Sequence, residues 1–498
     1  MKNMRKLASL LLALALVLSL SVTAFADEET DTDPAPAQTY TITITGAKPG
    51  HTFCAYQIFS GDLHDATLSN IKWGDGQTTY TVGDDATAVA ETWKTDEAAL
   101  ATVKALTLNE TNKHTSIYDE ATTDYTIGNL SAGYYLVKDT EGSLGGENAA
   151  YTDYILMVVD NATSAIKSSV PTIEKKVTDI NDSTQAPGKG DSNQDSADYD
   201  IGDHVPFHIH IKLNNHLESY DTYKLIVTDT LSKGLTYDEG TINIWMGDDT
   251  VSADNYDLET VVNADGSTTM TITFKDIMSL KPKSYGNLTI DYTATLNENA
   301  VIGSAGNPNT VNLQFSNNPD NAEEFGKTPD DKVTVFTFKV VVNKVDKDYN
   351  PLKGAEFTLF KSIHGTTEWK LVKTISGDDT TTFEFTGLDD GTYRLVETKT
   401  PSGYNTIAPA EFTVTASHEI QSDDPRLTAL TGTMTSGTIT FTAEEENGAL
   451  KTDVVNKAGA TLPETGGMGT TMIYVVGGIL VLAAVVLLVT KKRMANAE

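Results

Sequence analysis

The chain has 498 residues, 69 acidic against 36 basic, a single cysteine and a formal net charge of −33. So negative a balance argues against a nucleic-acid or anionic-membrane surface, and one cysteine rules out an intrachain disulfide. Short runs of Thr, Val, Ile and Tyr broken by Gly, Asn and Asp predict β-sandwiches, and the length suits about three of them.

Lys2, Arg5 and Lys6 precede an apolar run, Leu7 to Val22, and the small-x-small triplet Ala24-Phe25-Ala26. Residues 1–26 therefore read as a secretory signal peptide. Between Asp27 and Thr465, 30 basic and 68 acidic residues remain, a net −38 that suits a self-repelling extracellular rod.

The first predicted domain covers 27–168. An acidic leader, Asp27 to Gln38, precedes the alternating strand Tyr40 to Ile44, and Cys54 falls within a second strand, where a thiol behaves as a small hydrophobe. Asp84 to Leu108 has helical spacing and few Gly or Pro, which predicts a helical insertion. Two strands, Gly133 to Val137 and Tyr154 to Val158, close the domain. Its first strand carries no inward lysine, so no cross-link is expected here. Asp160 to Val170 reads as a connector, and its one lysine is Lys167.

The second predicted domain covers 169–333. Side chains alternate along a strand, so Ile173, Lys175 and Val177 face inward together while Lys176 faces water. Tyr223 to Asp229 is a further strand. In Asn309 to Phe315 the apolar face holds Val311, Leu313 and Phe315, which puts Asn309 inward and Asn312 outward. Asn312 and Asn317 remain alternatives to Asn309 as the lysine's partner. His204, His208, His210 and His216 cluster, but Phe207, Ile209 and Ile211 alternate with them, so these histidines face water and no metal is expected.

The third predicted domain covers 334–460. Phe338, Val340, Val342 and Lys344 share one strand face, with Pro351 to Phe357 as the return strand. Asp346, Asp348 and Asn350 imitate the start of a calcium loop, yet Pro351 and Phe357 stand where that loop needs Gly and Glu, so a turn is expected. The closing strand, Asp453 to Asn456, places Val454 and Asn456 on one face. Residues 461–498 hold Leu462-Pro463-Glu464-Thr465-Gly466, a span over 472–490 long enough to cross a bilayer, and Lys491-Lys492-Arg493, which set a cytoplasmic end.

Lysine is seldom buried without a partner. Two domains each place one on the core face of the first strand, an asparagine on that of the last strand, and an acid between, Asp229 or Glu397. A buried ion pair with a bonded amide is the plainer account. The chemical account is that burial disfavours both charges, so a neutral amine attacks the asparagine carboxamide while the carboxyl shuttles protons. No Gly-x-Ser-x-Gly, His-Glu-x-x-His or phosphate-loop pattern occurs, so no turnover enzyme and no cofactor are expected.

The third domain resembles a Cna B-type domain in Val342-Asn343-Lys344-Val345-Asp346, Gly354-Ala355-Glu356-Phe357, Leu395-Val396-Glu397-Thr398 and Pro401-Ser402-Gly403-Tyr404. The second resembles the middle, Cna A-like domain of backbone pilins in Pro171 to Val177, Tyr199-Asp200-Ile201-Gly202-Asp203 and Asp229 to Leu235. The tail resembles the cell-wall sorting signal of Gram-positive surface proteins. Together these imply an all-β chain of tandem immunoglobulin-like (Cna A/Cna B-type) β-sandwiches, flanked by a signal peptide and a transmembrane sorting segment. The resemblance implies isopeptide bonds Lys175–Asn309 and Lys344–Asn456, with Asp229 and Glu397 as acid/base. It also implies sortase cleavage between Thr465 and Gly466 and a polymerising lysine, for which Lys167 is the candidate. The family's upstream tryptophan and Tyr-Pro-Lys are missing around it. The implied role is a pilus shaft subunit on the cell wall. Its partners would be pilus-type and housekeeping sortases, other copies of itself, accessory pilins and peptidoglycan. The alternative is a singly anchored adhesin or accessory pilin that binds host matrix or glycan.

Overall fold

The computed structural model describes residues 38–459 and 469–495, except 94–95, 141, 145–147, 167–169, 187–189, 215–216, 218–219 and 282–285. Residues 1–26, Lys167, His216 and Leu462 to Gly466 lie outside the described residues. Among the described residues the chain forms three successive pairs of facing sheets followed by one long helix.

In the first pair, Tyr40, Ile42 and Ile44 of strand Tyr40–Thr45 are buried and their threonine neighbours half-buried, the alternation a one-sided core imposes. The second sheet, built on Phe53–His64 and Gly133–Asp139, covers helices Thr87–Ala90 and Asp96–Lys104. Phe59, Trp73, Trp93, Ala99 and Val103 pack between them. The stretch expected as a connector contains a strand, Ala162–Ala165, which runs parallel to Tyr40–Thr45 and completes the first sheet. Ala-Thr-Ser-Ala carries no hydrophobic alternation, so pairing with its neighbour, not propensity, makes it a strand.

The middle pair is two seven-stranded sheets. Thr172–Asp179, the lysine strand, lies in one and pairs with His204–Lys212, setting Lys175 opposite Ile209. Leu225–Leu231 and Asn307–Ser316 are neighbours in the other, in a register that opposes Asp229 to Val311 and Leu231 to Asn309. Lysine and asparagine thus approach each other across the core, between sheets. Asn307–Ser316 is not the closing strand: Asp331–Phe336 follows and pairs with it.

In the third pair, Phe338–Val345 and Ala449–Val455 are parallel neighbours, and Lys344 stands opposite Val454. Here the lysine lies on one strand and the asparagine directly follows the parallel neighbour in the same sheet. The return strand is Glu356–Ser362. Pro351 makes a single bridge to Val345, since Pro351 has no N–H to extend a ladder. Asp346 accepts from the Asp348 and Asn350 amides, which closes the turn.

Gly469–Ala495 is one helix of 27 residues. Its described side chains run from Val476 to Lys492 and are mostly exposed, Leu487 and Leu488 among them. Among the described residues no helix is long and apolar enough to cross a membrane; the span expected over 472–490 reaches beyond those side chains.

Candidate functional site: two buried lysine, carboxylate and asparagine clusters

In the middle domain Lys175, Asp229 and Asn309 are all 0% exposed. Lys175 Nζ donates to Asp229 Oδ2 at 2.6 Å and to the Tyr292 hydroxyl at 3.0 Å. The same hydroxyl accepts from Asn309 Nδ2 at 2.7 Å and donates to Asp229 Oδ2 at 2.6 Å. Tyr292 is therefore the hub of the cluster, touching amine, carboxylate and amide at once. Phe207 stacks on Tyr292 with centroids 5.5 Å apart, and the ammonium lies 5.3 and 5.2 Å from the two ring centroids.

Burial pushes the Lys175 ammonium below its ordinary pKa and outweighs the attraction of Asp229. The charged form loses more hydration than one carboxylate returns. Burial and the facing Asp229 hold the Tyr292 phenol well above its usual range, so it remains a proton donor. Asp229 Oδ1 and Asn309 Oδ1 are buried without a hydrogen-bond partner. Such orphans are costly.

The other asparagines are placed elsewhere. Asn312 faces outward and donates to Asp330. Asn317 is buried but donates to Leu144 O and Ala149 O of the first domain, so its role is to dock the domains.

In the C-terminal domain Lys344 and Asn456 are 0% and Glu397 4% exposed. Asn456 Nδ2 donates to Glu397 Oε1 at 2.7 Å, and the Ile407 amide donates to Oε2 at 3.0 Å. Lys344 Nζ donates to Val454 O at 2.9 Å and lies 3.9 Å from Glu397 Oε1. Burial lowers Lys344 to about 8, only partly offset by Glu397, so a sizeable fraction is neutral near physiological pH. Asn456 Oδ1 is again buried and unpartnered.

Sequence reasoning missed Tyr292, although the alternation of Leu288, Ile290, Tyr292 and Ala294 in Asn287–Leu296 carries the signal. A tyrosine on a core face must find an internal partner for its hydroxyl. It also set Lys176 in water. Lys176 is 5% exposed and bonds Asp195 and Glu174, because a neighbouring strand covers what a lone strand would leave open. His208 is half-buried between Asp291 and Thr178, its ring nitrogens at 2.8 Å from each.

A further buried lysine behaves oppositely. Lys361 is 1% exposed and contacts Asp182, Asp200 and Asp389 at 2.6, 2.7 and 2.5 Å. The three carboxylates raise its pKa well above the ordinary lysine value despite burial. Lys175 and Lys344 are tuned toward a neutral amine, whereas Lys361 is held as a cation.

Residues 201–319 match the family model of the Gram-positive pilin backbone subunit 2, Cna-B-like domain, and residues 338–426 that of a prealbumin-like fold domain. The middle and C-terminal domains are thus similar to these two families over the matched residues. The family matched by the middle domain is Cna-B-like, whereas its motifs resemble a Cna A-like domain. Among curated proteins, the trypsin-resistant surface T6 protein of Streptococcus pyogenes serotype M6 is 24% identical over 404 residues, spanning 67% of this chain and 71% of its own. The solved T6 backbone pilin of serotype M6 Streptococcus pyogenes is similar in fold, with a TM-score of 0.55 at 19% identity over 86% of this chain and all of its own. The full-length major pilin SpaD from Corynebacterium diphtheriae aligns over 85% of this chain and 98% of its own, at 17% identity and a TM-score of 0.49.

Proposed function

We propose that this chain is the shaft subunit of a covalent surface pilus, secreted, polymerised head to tail by sortase at Thr465 and anchored to peptidoglycan. The observation that carries the reading is the repetition, in two tandem pilin-type sandwiches, of a buried lysine, carboxyl and asparagine linking an early strand to a late one. Each cluster forms an isopeptide bond once. The neutral Lys175 Nζ attacks Asn309 Cγ, the new C–N bond forms as the bond to Nδ2 breaks, and ammonia leaves. Asp229 moves the protons, with the Tyr292 hydroxyl in contact with both nitrogens and with the acid. Lys344, Glu397 and Asn456 do the same in the C-terminal domain without a tyrosine. No turnover follows, so the chemistry is maturation.

The test is the intact mass of the purified chain. Two completed bonds lower it by about 34 Da, about 17 Da for each ammonia lost. An unchanged mass would refute both bonds. A polymer ladder in wall extracts supports the shaft role, and a single band at monomer mass supports the singly anchored adhesin instead.

A further inference from the structure

The middle and C-terminal domains meet at a joint rich in buried acid. From the middle domain come Asp179 at the end of the lysine strand, Asp182 in the turn after it, and Asp198, Asp200 and Asp203 on and after strand Ser196–Asp198. From the C-terminal domain come Asp389 and Asp390, in the turn before Gly391–Lys399. Against these seven carboxyls stand two cationic groups in direct contact, Lys361 from Glu356–Ser362 and His418 at the end of Ala410–His418. Tyr393 donates to Asp389 O at 3.0 Å, Tyr199 packs beside the acids, Lys370 attracts Asp203 from Trp369–Ser376, and Asp191 repels Asp179.

The contact is built, not incidental. Lys361 bridges the domains, bonding Asp182 and Asp200 on one side and Asp389 on the other. The Asp389 amide donates to Asp200 Oδ1, the Asp390 amide to Asp198 Oδ1, and Asn181 Nδ2 to Asp390 Oδ1. Ser183 Oγ donates to Ser362 O and accepts from the Thr392 amide. Gly391, at φ +148°, leaves room: a Cβ there would stand 2.6 Å from Ser183 Oγ and 3.1 Å from Lys361 Cε. Asp389 is fully buried, and its Oδ2 has no hydrogen-bond partner.

So many carboxyls around two cations cannot all be ionised in a buried site without strong repulsion. We propose that this joint is a pH-dependent latch, which holds the two domains rigidly together in mildly acidic surroundings and loosens as the medium turns alkaline.

The titrations agree in sign. Burial and Asp198 raise Asp179 to about 7 and Asp390 to about 8, and burial raises Asp389 and Asp203. When the domains separate, these carboxyls return toward ordinary values, so the docked state binds more protons from about pH 4 to about pH 8. Docking therefore weakens as pH rises through that window. His418 is raised by Asp198 and Asp179 despite burial, so its contribution is complete below its ordinary value of 6.5 and is lost above it. Lys361 stays charged throughout.

The experiment uses the full-length chain in detergent buffer with spin labels at Val262→Cys and Leu371→Cys, both exposed positions in different domains, while Cys54 is buried. Pulsed dipolar spectroscopy should give a narrow distance distribution at pH 5.5 and one at least twice as wide at pH 9. Equal widths would overturn the latch, as would widening accompanied by loss of the β-sheet circular dichroism. Asp390→Asn keeps an acceptor for Asn181 and should move the midpoint of widening to higher pH. An unmoved midpoint in that variant would likewise overturn it.

Discussion

At the scale of single residues, the two clusters divide one task differently. In the middle domain the Tyr292 hydroxyl joins amine, acid and amide, whereas in the C-terminal domain Glu397 binds Asn456 directly. Tyr292→Phe keeps the ring under Lys175 but removes that link, and should slow bond formation by about two orders of magnitude, the lower end of the usual worth of a positioned proton-transfer group. Time-resolved mass spectrometry of freshly refolded chain reads this as a delayed loss of the first ammonia; an undelayed loss would refute the relay. Glu397→Ala should leave the C-terminal domain at its own sequence mass instead of about 17 Da below it, because its acid/base is gone. For Lys344, lowered to about 8, the neutral fraction rises from about 1% at pH 6 to about half at pH 8. Chain refolded from urea-solubilised aggregates should therefore form this bond roughly fifty times faster at pH 8 than at pH 6, and a flat profile would remove the neutral amine as attacker. Lys175, Asn309, Lys344 and Asn456 were readable because period-two alternation places each on a core stripe. The sign of Lys361 was not: its three carboxylates come from two domains and 200 positions of sequence, which no local period records.

At the scale of strands, the position of each cluster in its sheet decides what a bond protects. Lys344 and Asn456 sit on, and directly after, parallel neighbours at the two ends of their domain, so a bond between them carries tension directly from strand to strand. The middle domain differs, because Asp331–Phe336 lies beyond Asn309 and outside the closed loop. Under force that domain should yield a short extension of roughly 90 Å, about 26 residues at ~3.5 Å each, and then stop. The C-terminal domain should not extend. A single-molecule trace with a full-length unfolding step in either domain would contradict this. Each proposed bond would close a loop above about 100 residues, a stabilisation of roughly 5 kcal/mol on the chain-entropy estimate. Asn456→Ala should accordingly lower the C-terminal domain's melting temperature by on the order of 15–20 °C, measured calorimetrically. The order of sandwiches and most core strands could be read from alternation. The strand Ala162–Ala165 and the position of Asp331–Phe336 could not, since both depend on pairings with strands distant in sequence.

At the scale of the whole molecule, three covalent ideas meet: two internal bonds, a sorting signal, and an acceptor amine. If sortase cleaves after Thr465, as proposed, it leaves an acyl group that an accessible amine must take for the polymer to grow. Lys175, Lys344 and Lys361 are buried, and the first two would be consumed by their own asparagines on the proposed chemistry, so none of them qualifies. Lys176 is buried in an ion pair. In sequence Lys167 comes two positions after the parallel strand Ala162–Ala165 and precedes the lysine strand that opens at Thr172. It therefore falls between the last strand of the first domain and the first strand of the second, four positions before Pro171. A bond from the Thr465 carbonyl of one copy to the Lys167 amine of the next is heterologous and does not close, so it produces a fibre. Lys167→Ala should abolish the high-mass ladder in wall extracts while monomers remain attached through Thr465. A surviving ladder would assign the bond to another exposed lysine, and Thr465→Ala should remove ladder and wall-bound monomer together.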